Sequence, residues 1–404
     1  MSRIIPYSCQ SVDEEDITAV VSVLKSDYLT QGPAVERFEA ALTSYTGAKY
    51  AVVYSSGTAA LHASYFAAGL GAGDELITSP ITFVATSNAA LYVGARPVFS
   101  DIERDSANLD VTRIEEKITE RTKVIVPVHY AGHPVDMEAI RAMAEKHGIK
   151  VVEDGCHALG ASSKSNAASP WTGQNGEERW AKVGSCSNSD MTVLSFHPVK
   201  HITTGEGGAV LTNEKSYYES LLMFRSHGIT KNKSCFKMHD CAVVGDWYYE
   251  MQFLGYNYRM TDIQAALGTA QLTKLEKFVK RRREIASTYN GVFVGNNYFE
   301  TPMEKQYGHS SYHLYPIRLK DGYWEKRPLI FSKMREHGLG VQVLYIPVYL
   351  QPFYKEIGYR QGACPVAEDF YRRAISLPIY PAMSVEDIDY VINHTFKVFE
   401  EVEE

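Results

Sequence analysis

Short apolar runs recur through the first 215 residues, and segments of helical periodicity fall between several of them. The runs are AVVY (51–54), ELIT (75–78), PVFS (97–100), VIVPV (124–128), KVVE (150–153), TVLSF (192–196) and AVLT (209–212). Their shortness, their Val, Ile and Leu content, and their Gly, Pro and Asp borders predict buried strands. Helix-like patterns occupy 58–69, 83–93 and 136–147. Strands alternating with helices predict a mostly parallel sheet of seven strands, sandwiched by helices, in an α/β fold. Thr261-Asp262 opens a long amphipathic pattern over 261–284 and reads as its helix cap. Beyond 285 the pattern turns to the aromatic segments SYHLYPIRL and VQVLYIPVY, read as strands, with shorter helices between them. The expected organisation is a large unit over 1–260 with an N-terminal arm, a connecting helix over 261–284, and a smaller α+β domain over 285–404. The polar, Gly- and Ser-rich stretch 162–190 reads as an exposed loop.

Composition narrows the class. The 404 residues carry a net charge of −7, with 45% hydrophobic and 22% charged residues. That balance excludes general disorder and a basic nucleic-acid footprint, and it offers nothing to an anionic membrane. The charge-free stretches 50–73 and 76–95 are broken by Ser, Gly, Thr, Asn or Pro, so they read as buried core and not as membrane spans. The six cysteines form no C-x-x-C pair and no cluster with histidine that would hold a metal. The opening MSRIIPYSCQ has no apolar signal core. These features together predict a reduced, cytoplasmic protein.

Chemistry gathers where the predicted strands end, which is where open α/β sheets bind ligands. After 51–54 come Ser55, Ser56, Gly57 and Thr58, opening a helix. This is either an ordinary cap or a phosphate cradle of exposed N–H groups. After 75–78 comes Phe83, a core aromatic or a stacking group. Asp154 ends the run 150–153 and is followed by Cys156 and His157. An acid there either caps a helix or partners a buried cation. TVLSFHPVKHITTGEGG then carries Ser195, His197, Lys200 and His201 into the turn Gly205-Glu206-Gly207-Gly208. A lysine between an apolar strand and a tight turn is positioned to form an imine with a carbonyl ligand. A lysine amine, a carboxylate, a stacking ring and a phosphate cradle are the four things pyridoxal phosphate requires. No single element is specific, but the ordered set is.

That set resembles the DegT/StrS-type nucleotide-sugar aminotransferases on the fold-type I pyridoxal phosphate scaffold. The resemblance runs through Leu29-Thr30-Gln31-Gly32-Pro33, 55–61, 80–88, 153–160, 195–208 and LGYNYRMTDIQAALG (254–268). It implies that Lys200 is the catalytic lysine and that Asp154 faces the ring nitrogen. It also implies that Phe83 and His157 lie against the ring, and that Ser56, Gly57, Thr58 and Ser195 hold the phosphate. Asn257 would reach that phosphate from a partner subunit, which implies a homodimer with shared sites. Tyr7, Tyr28, Leu29, Thr30, Arg259, His313 and Tyr345 are the implied contacts to the nucleotide sugar. The implied reaction moves the amino group of L-glutamate to C4 of a UDP-linked 4-keto-6-deoxy-N-acetylhexosamine, for pseudaminic acid or a related glycan, and releases 2-oxoglutarate. A dTDP sugar, amination at C3, and a non-enzymatic regulator are the alternatives. The related dehydratases carry histidine where this chain has Lys200, and no G-x-G-x-x-G follows the first strand as a dinucleotide site would require. Three departures stand out. Leu344 occupies a position where the family commonly has histidine, 162–182 is longer than usual and contains Trp171 and Trp180, and 231–246 differs in detail.

Overall fold

The computed structural model describes residues 3–165, 180–238 and 245–404. All seven predicted strands form one sheet: β1 (Tyr50–Tyr54), β2 (Glu75–Thr78), β3 (Arg96–Phe99), β4 (Thr122–Val126), β5 (Lys150–Asp154), β6 (Met191–Ser195) and β7 (Gly208–Thr212). Their order is β1-β7-β6-β5-β4-β2-β3. β7 alone runs against its neighbours, pairing antiparallel with both β1 and β6. Its register sets Gly208 beside both Tyr54 and Ser195, so the carboxyl ends of β1 and β6 converge on the start of β7.

Side chains alternate across the sheet, because successive strand residues face opposite ways. Val52, Tyr54, Val193 and Val210 pack on one side with residues of α3 (Gly57–Ala67), while Ala51, Val53, Leu194 and Leu211 pack on the other. That other side is covered by α2 (Pro33–Thr46) and by α7 (Asp262–Thr273), which follows α4 (Ala85–Tyr92), α5 (Met137–His147) and α6 (Lys215–Arg225) along the chain. Two N-terminal helices escaped the periodicity argument. α1 (Glu14–Leu24) begins with a capping box between Asp13 and Asp16, and α2 lies between Gly32-Pro33 and a left-handed Gly47 at φ 85°. Both are start and stop signals the sequence carries.

Thr261 caps α7 as expected, in a capping box with Gln264. The pattern read as one helix over 261–284 is two helices, α7 and α8 (Leu275–Phe293), meeting at Lys274. Lys274 is drawn to Asp13 at 2.8 Å and to the fully buried Asp16 at 2.5 Å, a tertiary attraction invisible to periodicity. A second, antiparallel sheet of β8 (Phe299–Glu300), β9 (Tyr315–Leu319) and β10 (Ala374–Leu377) packs on α8 and the C-terminal helix Val385–Glu403.

Two local expectations need correction. VQVLYIPVY is not a strand: after the bridge from Gln342 to Ser376 it leaves the sheet, carrying Leu344 and Tyr345 across to the carboxyl ends of the large sheet. Pro347 has no N–H to continue a ladder, and Val348 donates instead to the Pro80 carbonyl at 3.0 Å. The stretch 162–190 is not simply an exposed loop either. Ser162–Lys164 pairs with Trp180–Lys182 and with Gly308–His309, and Ala181, Val183 and Cys186 are buried. Trp180 lies 3.8 Å from the His309 ring, while Trp171 falls outside the described residues, as does part of 231–246. Among the described residues no helix is long and apolar enough to cross a membrane.

Candidate active site

A cleft of about 450 Å³ opens at the carboxyl ends of the strands. It brings together Tyr7, Ser56, Gly57, Thr58, Phe83, Asp154, His157, Ser195, Lys200 and Tyr345, ten residues drawn from segments far apart in sequence.

One wall is the N-terminus of α3. Ser56 is its cap, and its hydroxyl oxygen accepts from the Ala59 N–H at 3.1 Å while its carbonyl takes the Ala60 N–H. The first-turn N–H groups of Gly57 and Thr58 have no such intrahelical acceptor and are available to a ligand. Glycine is required here by close approach. A Cβ on Gly57 would lie 3.0 Å from Ser195 Cβ, and one on Gly208 would lie 2.7 Å from the Gly57 backbone. The result is a tight cradle with Ser195 at its side, suited to an anion at the positive end of a helix.

Asp154 ends β5 and is only 4% exposed. Its Oδ2 accepts from Thr86 Oγ1 at 2.7 Å and its Oδ1 from the Cys156 N–H at 3.2 Å. Neither reading offered for an acid at a strand end is met within the chain, since Asp154 caps no helix and has no cation within ion-pair distance among the described residues. Lys200 sits in the turn after β6, its N–H bonded to the His197 carbonyl at 2.8 Å. Its amine makes no hydrogen bond or ion pair among the described residues. Burial pushes its pKa down to about 8, partly offset by the nearby Cys156 and Asp154.

His157 is held between aromatic neighbours. Its ring is stacked 5.9 Å from that of Tyr345, and its Nε2 lies 3.2 Å from the Tyr345 hydroxyl. Burial and the adjacent Lys200 hold its pKa well below the ordinary histidine value, so the imidazole is neutral. Burial raises the Tyr345 phenol. His157 Nδ1 is buried with no partner. Phe83 stands at the rim with 57% of its surface exposed, an unusual position for a phenylalanine and one that leaves ring surface free to stack. Cradle, carboxylate, unpaired amine, orphaned ring nitrogen and open aromatic face together fit pyridoxal phosphate.

The remaining sequence candidates lie elsewhere in the single chain. His313 is 2% exposed and does not line the cleft. Its ring lies 4.4 Å from that of His157, so within this chain it packs against a cleft residue. Arg259 lines a separate cavity of about 560 Å³ beside Glu36 and Glu39. Asn257 is exposed, as are Tyr28, Leu29 and Thr30, and none of these lines the cleft. The cleft also contains residues that were assigned no role: Thr82, Thr86, Cys156, His197, Glu206 and Leu344. Thr82 and Thr86, four apart at the entry to α4 (Ala85–Tyr92), carried a helical-spacing signal that could have paired them.

This fold and cleft define a fold-type I, pyridoxal phosphate-dependent aminotransferase. The chain belongs to the DegT/DnrJ/EryC1/StrS aminotransferase family, whose pattern it matches over residues 10–396. It is 38% identical over 402 residues to a Campylobacter jejuni UDP-4-amino-4,6-dideoxy-N-acetyl-beta-L-altrosamine transaminase, covering 98% of each chain. Among solved structures it resembles Helicobacter pylori PseC, an aminotransferase involved in the biosynthesis of pseudoaminic acid, with a TM-score of 0.88 and 36% identity over 99% of this chain and 100% of that one. A putative sugar aminotransferase of Streptococcus pneumoniae, Spr1654 in its PLP form, matches with a TM-score of 0.87 and 31% identity over 99% of both chains. The chain is a sugar aminotransferase of this family, and its cofactor is pyridoxal 5′-phosphate.

Proposed function

We propose that the enzyme transfers the amino group of L-glutamate to C4 of a UDP-linked 4-keto-6-deoxy-N-acetylhexosamine, giving a 4-amino sugar nucleotide for pseudaminic acid or a related glycan. The observation that carries the chemistry is the unpaired, partly neutralised amine of Lys200 in one cleft with the uncompensated carboxylate of Asp154. The choice of sugar rests on likeness to the Campylobacter and Helicobacter proteins.

Bound pyridoxal phosphate supplies an electron sink that acidifies the substrate carbon bearing the nitrogen. Asp154 keeps the ring nitrogen protonated, and Phe83 and His157 clamp the ring. Gly57 and Thr58 donate N–H groups to the phosphate, and the hydroxyls of Ser56 and Ser195 add to the cradle. Lys200 Nζ takes the proton from glutamate Cα in the first half-reaction and delivers one to sugar C4 in the second. An amine with a pKa near 8 suits this two-way task, since it gives and accepts protons close to neutrality. Tyr7 and Tyr345 border the space left for the sugar. Asn257, Arg259 and the segment Tyr28–Thr30, all outside the cleft of their own chain, serve the cleft of a partner in a homodimer. That assembly is supported by exposed apolar side chains close to Asn257 in sequence, with Trp247 74%, Met251 63% and Leu254 72% exposed.

The test is a visible spectrum of the protein loaded with pyridoxal phosphate. Glutamate is expected to abolish the band, and a UDP-4-keto sugar, but not its dTDP counterpart, to restore it. Restoration by the dTDP sugar alone would overturn the nucleotide assignment. A band indifferent to glutamate would overturn the donor.

A further inference from the structure

The Asp154 carboxylate is served by two threonine hydroxyls in series. Thr86 Oγ1 lies 2.7 Å from Asp154 Oδ2, and Thr82 Oγ1 lies 2.7 Å from Thr86 Oγ1. The two threonines are 1% and 3% exposed, respectively. An ionised carboxylate can only accept, so the Thr86 hydroxyl donates to Asp154 and must itself accept from Thr82. The direction of the chain is therefore fixed, and hydrogen bonds so aligned polarise one another. The backbone holds the chain rigid: the Thr86 N–H bonds the Phe83 carbonyl at 3.2 Å, and the Tyr65 hydroxyl, from α3, bonds the Thr86 carbonyl at 2.8 Å. The other ionisable groups near Asp154 are Lys200, Cys156, Tyr65 and Tyr345.

We propose that Thr86, with Thr82 behind it, is a positioning residue of the active site: the two hydroxyls lock the Asp154 carboxylate in place toward the cofactor ring. The inference rests on the reading of Asp154 as the ring-nitrogen partner. A hydroxyl pair that merely filled space would be replaceable by valine, whose shape matches threonine. One that directs charge would not be.

The experiment follows bound pyridoxal phosphate without substrate, by the pH midpoint of its visible band and by its dissociation constant. Hydrogen bonds to charged groups are worth enough that Thr86→Val is expected to weaken cofactor binding about tenfold. The same change should move the midpoint by about half a pH unit or more. Thr86→Ser, which keeps the hydroxyl, should restore both. Thr82→Val should shift both in the same direction by less, because it acts through Thr86. Asp154→Asn separates the two claims. If it moves the midpoint while Thr86→Val does not, the relay is wrong and the Asp154 reading stands. If Asp154→Asn leaves the midpoint in place, both fall. Failure of Thr86→Ser to rescue would reduce Thr86 to packing.

Discussion

At Lys200 two demands on one amine conflict. Folding favours a charged lysine in water, whereas proton transfer needs a neutral one in a dry cleft. The structure moves toward the second demand, with burial pushing the pKa of this half-buried amine from 10.5 down to about 8. The unfolded chain therefore holds its proton more tightly than the native state between about pH 8 and 10.5, so stability contributed at this site rises with pH through that window. Below it the native state carries the full penalty. Lys200→Met is accordingly expected to stabilise the cofactor-free protein at pH 7 by about 2 kcal/mol, after allowance for water in the open cleft. The advantage should vanish by about pH 10.5, as read by urea midpoints across the range. An equal or lower midpoint for the variant at pH 7 would mean the amine is not desolvated. Such a gain on deleting a functional residue is the usual signature of a site that sacrifices stability for activity.

Among the elements, the start of β7 governs how the phosphate cradle is built. Gly208 sits where β1, β6 and the first turn of α3 meet, and its added Cβ would face backbone atoms at 2.7 Å, which cannot rotate away. Gly208→Ala is expected to cost about 1–3 kcal/mol by overpacking and to weaken cofactor retention in the same step. Gly291→Ala is the control: Gly291 lies within α8 and its Cβ would meet nothing within 4 Å. There alanine should add about 0.5–1 kcal/mol, by helix propensity alone. Thermal melts with and without pyridoxal phosphate check both. If Gly208→Ala melted like the parent and kept its cofactor, the close approach would not matter to the cradle.

For the whole molecule the question is whether the site is complete in one chain. Lys200 and Asp154 line the cleft, while Asn257 is exposed outside it. If Asn257 serves the partner, Lys200→Ala and Asn257→Ala damage complementary halves of each site. A mixed dimer then has one site with both defects and one with neither. Co-refolding the two variants is expected to restore up to about a quarter of parental turnover, since half of randomly formed dimers are mixed and each has one intact site. Turnover no higher than the mean of the two separate variants would place Asn257 within its own chain's site.

The fold was legible in the sequence to the extent that local rules decide it. Seven buried runs became seven strands because a sheet covered on both faces admits only continuous apolar segments, and Thr261 capped a helix because its hydroxyl satisfies an N–H that has no other partner. Lys200, Asp154 and Gly57 were legible because strand ends in an open sheet are where such residues face a ligand. Everything that depended on two distant segments meeting was decided by the tertiary structure. The apolar, aromatic VQVLYIPVY reads as a strand, yet only one of its residues finds a partner there. The pattern 261–284 reads as one helix, yet Asp13 and Asp16, more than 250 positions away, sit at its break. His313 stands 156 positions from His157, yet the two rings lie 4.4 Å apart. Thr86 has no role in the sequence reading, and it bonds the carboxylate of Asp154, 68 residues away. Periodicity records which face of an element avoids water, and capping records which N–H lacks a partner. Neither records which element lies opposite, because the entropy of closing those long loops is offset only by the packed whole.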